Sequence, residues 1–195
     1  MRFAVANPFE TLGLAPSFAL DAAALEVRLR DLNRATHPDR HAGKGAGERR
    51  QALNRAMDIN RAYRTLRDPA SRAEALFELL GAGSTRESTI SDPVLLLEMM
   101  EQREALEAAR NSKDLERLQR IGQSMAARER QVLEALETAF APLLAGAAGA
   151  RQTDGTDARG GPPEQAALSE ARRLLAELRY VRRFAEEIAA FEDES

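Results

Sequence analysis

A chain of 195 residues without a single cysteine has no disulfide, no thiolate metal site and no cysteine nucleophile. Its 28 Lys and Arg nearly balance 31 Asp and Glu, and aromatic residues make up only 5%. Ala, Leu, Glu and Arg dominate over β-branched residues, which favours helix throughout and disfavours a β-sandwich or a parallel-sheet enzyme. The densest apolar stretch, Val94 to Met100, is interrupted by Glu98 and falls far short of the roughly 20 residues of a membrane span. Met1 to Phe9 lacks the apolar core of a signal peptide, so the expectation is a soluble, cytoplasmic protein that binds no membrane.

The charge is unevenly spread. Residues 1–80 hold 13 basic and 10 acidic side chains, and residues 81–195 hold 15 and 21. Two surfaces of opposite sign suggest two partners. Nucleic acid is not one of them, because no basic stripe comes with interleaved aromatics.

In chain order, Asn7-Pro8-Phe9-Glu10 opens a short helix, with Asn at the N-cap and Pro at the first helical position. Gly13 and Pro16 stop it within two turns. Asp21 caps a second helix over about 22–36, with Leu25, Leu29, Leu32 and Ala35 on one side. Arg30 and Arg34 lie on the other side and Arg28 at the border. Pro38 ends that helix near His37, and Gly43, Gly45 and Gly47 mark a loop. A third helix over about 48–67 carries Ala52, Ala56, Ile59, Tyr63 and Leu66 on its buried side. Asp68-Pro69 restarts a fourth, carrying Ala73, Leu76, Phe77 and Leu80 and closed by Gly81.

Residues 81–91 read as a linker. Asp92-Pro93 opens a helix to about Arg110, whose core side holds Leu95, Met99, Leu106 and Ala109. A long helix from Asp114 to about Leu144 has Leu115, Leu118, Gly122, Met125, Val132, Leu136 and Phe140 as its stripe, with Pro142 a point of shortening or kinking. The Gly- and Pro-rich stretch 145–163 reads as a flexible loop. The last helix, about Glu164 to Phe191, places Leu168, Ala171, Leu175, Leu178, Val181, Ala185 and Ile188 on one side. Three such helices in series make an antiparallel bundle the simple solution.

His37-Pro38-Asp39 is the one constellation with chemistry in view. As an acid/base pair it lacks a nucleophile, a phosphate loop or an oxyanion hole nearby. As a metal site, His37, Asp39 and His41 lack a second ligand cluster, and Pro38 breaks the helix that would align them. The setting argues for docking instead: a Pro-stiffened loop presents Asp39 at low entropic cost, between a basic amphipathic helix and a helix with Tyr in its core stripe.

This arrangement over residues 8–80 resembles a J-domain, the module by which co-chaperones stimulate DnaK-class chaperones. The stretch Ile59-Asn60-Arg61-Ala62-Tyr63-Arg64-Thr65-Leu66-Arg67-Asp68-Pro69-Ala70-Ser71-Arg72-Ala73 resembles the INxAYxTLxxPxxRA segment of the HscB family, the J-type co-chaperones of iron–sulfur cluster biogenesis. The opening Asn7 to Leu14 and the segment Asp92 to Leu106 are similar to the same family.

The resemblance implies an all-α protein: a J-domain at 1–80, a linker at 81–91 and a three-helix bundle at 92–195. It implies contact with an HscA/DnaK-type chaperone through His37, Pro38, Asp39, Arg28, Arg30, Arg34 and Arg40, the last standing where J-domains commonly have Lys. It implies contact with an IscU-type scaffold through Leu96, Leu97, Met100, Glu101, Glu104 and Tyr180, the last a Tyr where the family has Phe. Ala108 replaces an acid of the family pattern. On this reading the chain is a monomer that is not itself an enzyme and binds no metal or cofactor: nucleotide chemistry belongs to the chaperone and the cluster to the scaffold. The alternatives are a J-domain adaptor for a different client and a helical interaction module without chaperone activity.

Overall fold

The structure is a computed structural model, described here for residues 7–36, 45–83, 93–150 and 161–193. These residues form seven helices: α1 (Pro8–Leu12), α2 (Ala22–Ala35), α3 (Ala46–Arg67), α4 (Pro69–Leu79), α5 (Pro93–Ser112), α6 (Leu115–Ala150) and α7 (Pro162–Asp193). The chain divides into two compact units, one of residues 1–84 and 144–152, the other of residues 85–143 and 153–195.

In the first unit, side chains set the starts of α1, α2 and α4, while α3 starts at Gly45 without a side-chain cap. Asn7 accepts a hydrogen bond from the Phe9 amide at 3.0 Å, Asp21 from that of Ala23 at 2.9 Å, and Asp68 from that of Ser71 at 2.8 Å. Each satisfies an amide that the helix itself leaves unpaired. Gly13 and Gly81 end α1 and α4 in the left-handed conformation, at φ 65° and 71°. After α4, the Gly81 and Ala82 amides bond back to the Glu78 and Phe77 carbonyls, which closes the last turn.

Helix α3 packs against α1, α2 and α4. The core holds Phe9, Leu12, Phe18, Leu25, Ile59, Ala62, Leu66, Leu76 and Phe77. Of the stripe expected on α2, Leu25 alone is buried; Leu29 and Leu32 are half-buried and Ala35 is exposed. Tyr63 is half-buried, and the fully enclosed neighbour on α3 is Ala62.

Arg72 fastens the corner between α3 and α4. Its guanidinium donates to the Leu66 carbonyl at 3.1 Å and lies 5.0 Å from the centre of the Phe18 ring. Burial lowers its pKa from the ordinary arginine value, with the Asp68 carboxylate acting in the opposite direction.

The second unit holds α5, α7 and α6 as far as Leu143. Leu95, Met99, Leu106 and Ala109 are all buried, as the spacing on α5 predicts. Leu106 and Ala109 join Leu118, Ile121 and Met125 of α6 and Val181, Phe184 and Ile188 of α7 in one core cluster. Lys113 takes a left-handed conformation (φ 52°) in the turn after α5, and Asp114 caps α6 by accepting from the Arg117 amide at 2.9 Å.

Three expectations need correction here. Leu115 is 58% exposed, because at 100° per residue it lies about 80° round the helix from the side of Leu118, Ile121 and Met125 that faces the core. Helix α6 passes through Pro142 and runs to Ala150, so residues 145–150 are not loop. Alanine at 145, 147, 148 and 150 offsets the helix cost of Gly146 and Gly149. Helix α7 likewise starts at Pro162 rather than Glu164, since proline suits a first helical position.

Candidate functional site

His37, Pro38, Asp39 and Arg40 lie outside the described residues. The helices on either side are described, and they place the predicted arginines. Arg30 and Arg34 are exposed one turn apart on α2, with no ion-pair partner among the described residues. Arg28 faces elsewhere. Its Nε donates to the Leu12 carbonyl at 2.7 Å, so it holds the end of α1 against α2.

In the second unit, five of the six predicted scaffold residues share one side of α5. Leu96, Leu97 and Met100 are 42%, 58% and 61% exposed, large values for apolar side chains on a helix whose other side is core. Val94 continues the patch toward the N-terminus at 67%. At 100° per residue, Leu96, Met100, Glu104, Leu97 and Glu101 follow one another around the helix within about 140°. The arrangement is an apolar centre with a carboxylate rim, the form of a protein-docking surface.

Tyr180 comes from α7 and lines an open cavity together with Glu98 and Glu101 of α5. It is half-buried and packed on the core cluster, its ring 5.7 Å from that of Phe184. Its hydroxyl donates to the Met99 carbonyl at 3.0 Å, which ties α7 to α5 directly behind Met100. Burial raises the Tyr180 pKa; the Arg103 guanidinium lowers it and the Glu187 carboxylate raises it further.

Sequence reasoning missed a second link between the helices. Glu177 is only 2% exposed and accepts hydrogen bonds from Arg128 of α6 and Arg173 of α7. Arg128 also lies 3.8 Å from Glu98 of α5, so one guanidinium joins three helices. The available signal was an acid set inside the apolar run Leu174-Leu175-Ala176-Glu177-Leu178, which has to find a cation once buried. Among the described residues, no cluster of three His, Cys, Asp or Glu could hold a metal ion, and no helix is long and apolar enough to cross a membrane.

The fold is that of an all-helical protein made of a J-domain and a helical bundle. Residues 91–189 match the family model described as the HSCB C-terminal oligomerisation domain. The chain is 44% identical over 102 residues to the co-chaperone protein HscB homolog of Shewanella loihica, covering 52% of this chain and 59% of that one. It is 41% identical over 109 residues to the homolog of Shewanella halifaxensis, covering 55% and 63%. These alignments span about three-fifths of the length of the curated relatives. Among solved structures, chaperone HscB from Vibrio cholerae superposes with a TM-score of 0.72 at 30% identity, over 96% of this chain and 98% of that one. Human co-chaperone protein HscB shares the fold, with a TM-score of 0.74 at 23% identity over 98% and 84%. The chain belongs to the HscB family.

Proposed function

We propose that this protein is a two-handed co-chaperone. Its J-domain stimulates ATP hydrolysis by an HscA/DnaK-type chaperone, and its bundle delivers an IscU-type iron–sulfur scaffold to that chaperone. Asp39 of the HPD loop acts on the chaperone, with Arg30 and Arg34 steering the approach to an acidic surface. Joining the two binding events in one chain raises the scaffold's effective concentration at the chaperone.

The observation that carries this reading is the solvent-exposed row Leu96, Leu97 and Met100 beside Glu101 and Glu104. A contiguous row of three large apolar side chains exposed to water is the mark of a surface that a partner covers. Tyr180, whose hydroxyl is bonded to the Met99 carbonyl, adds an aromatic contact for the scaffold at the edge of that row.

Calorimetric titration into the cognate scaffold tests the bundle. A Leu96→Ala/Met100→Ala variant is expected to bind at least about tenfold more weakly, since central apolar anchors dominate such interfaces. A chaperone ATPase assay tests the J-domain: Asp39→Ala should abolish the stimulation seen with the parent. No binding by the parent would leave a J-domain adaptor for a different client, and an Asp39→Ala variant as active as the parent would remove the chaperone role.

A further inference from the structure

A cavity of about 310 Å³ opens between α5, α6 and α7 of the second unit. Its walls combine the buried apolar side chains of Leu95, Met99, Met125 and Val181 with the polar groups of Gln102, Glu177 and Tyr180. Its mouth is acidic. Glu98 and Glu101 of α5 stand exposed at the rim, facing Ser124 and Arg128 of α6.

Among the described residues lining the cavity, the carboxylates Glu98, Glu101 and Glu177 outnumber the single cation Arg128. Arg128 is committed inward, because its Nε bonds the buried Glu177 carboxylate. The same guanidinium reaches Glu98 only at 3.8 Å. Glu101 has no ion-pair partner among the described residues. Arg128 is therefore shared between buried Glu177, which also draws on Arg173, and exposed Glu98, while Glu101 beside them has no ion pair among the described residues.

A partly apolar wall beneath an acidic mouth suits a side chain with an aliphatic stem that ends in a cation. A neutral apolar group would cover Glu101 without pairing it, and an anion would be repelled. The position of the cavity says whose cation it is. Glu101 directly follows Met100 and lies one turn beyond Leu97, so the mouth continues the exposed apolar face of α5.

We propose that this cavity receives a lysine or arginine side chain of the protein docked on α5, its stem on Leu95, Met99 and Met125 and its charge between Glu98 and Glu101. The inference rests on the bundle's role as a scaffold-binding surface and adds what that surface selects. The apolar row supplies affinity, and the cavity discriminates among apolar-faced proteins by requiring one basic side chain in register.

The test fills the cavity without altering its charge. Ser124→Phe introduces a ring at the mouth from the exposed side of α6, and circular dichroism and thermal melting verify that the variant is folded. Calorimetric titration with the IscU-type scaffold should show about tenfold weaker binding and a shallower salt dependence than the parent. Replacing the scaffold's exposed Lys and Arg residues one at a time by Met should identify one whose loss weakens parent binding by about the same factor. That replacement should have no further effect against Ser124→Phe.

Parent-like affinity and salt dependence in folded Ser124→Phe would overturn the proposal while leaving the scaffold reading intact. So would a scaffold in which no single cation matters to the parent, an outcome that decides the point even if Ser124→Phe fails to fold. Absence of parent binding to the scaffold would overturn both.

Discussion

The two units hold their helices together by different means. In the first, α2 buries only Leu25 completely, and the element is fixed at its edges: Asp21 caps its start and Arg28 bonds the Leu12 carbonyl. In the second, α7 is buried along a stripe from Ala171 to Ile188, with the Glu177 carboxylate enclosed among apolar neighbours and paired to two arginines. A helix that buries as little apolar area as α2 relies on caps and side-chain bonds to backbone, each contributing on the order of 1 kcal/mol. A bundle of long helices gains its stability from continuous faces and can therefore leave another face of α5 uncovered for a partner. The difference teaches where each unit is vulnerable.

The largest effect is expected in the bundle core. Phe184→Ala empties a site that is 1% exposed and should cost about 3–5 kcal/mol, read as a lowered urea midpoint. A loss below about 1 kcal/mol would contradict a core built on continuous faces.

The edge-fixed unit is probed at Gly13. A Cβ there would meet Arg28 Nη2 at 2.5 Å in a conformation with φ 65°. Gly13→Ala should therefore both strain the left-handed residue and displace Arg28 from Leu12, costing about 1–2 kcal/mol. Arg28→Ala should reproduce the part due to the lost bond, and the two substitutions together should cost less than their sum.

The smallest effect concerns Tyr180. Its raised pKa means that the fold favours the neutral phenol, the form that donates to Met99. That contribution is complete below the unfolded value near 10 and is lost as pH rises through the folded value. Tyr180→Phe should lower stability by about 0.5–1 kcal/mol at neutral pH and flatten the dependence of the melting temperature between about pH 9 and 11. An unchanged alkaline slope would assign that dependence to other groups.

Much of the fold was legible because its signals are local. Asn7, Asp21 and Asp68 cap helices where a short polar side chain precedes an apolar period, and the four core positions of α5 follow from spacing alone. That Leu96, Leu97 and Met100 lie off the core side of α5 follows from the same spacing, but spacing leaves open whether that side is buried or exposed, and their contact role comes from the family resemblance. Phe184 was also within reach, three residues after Val181 and four before Ile188.

What spacing does not contain is the identity of the group across the gap. That Arg28 ends at Leu12, that the Tyr180 hydroxyl finds Met99, and that Glu177 is buried on Arg128 depend on residues 16, 81 and 49 positions away. The sequence by itself determined the helices, their caps, their apolar faces and the motifs that mark the family, all within a few turns of chain. Only the tertiary structure decided which polar groups pair across helices and where a cavity with an acidic mouth remains, because desolvation and Coulomb energy depend on distances in space that no local period encodes.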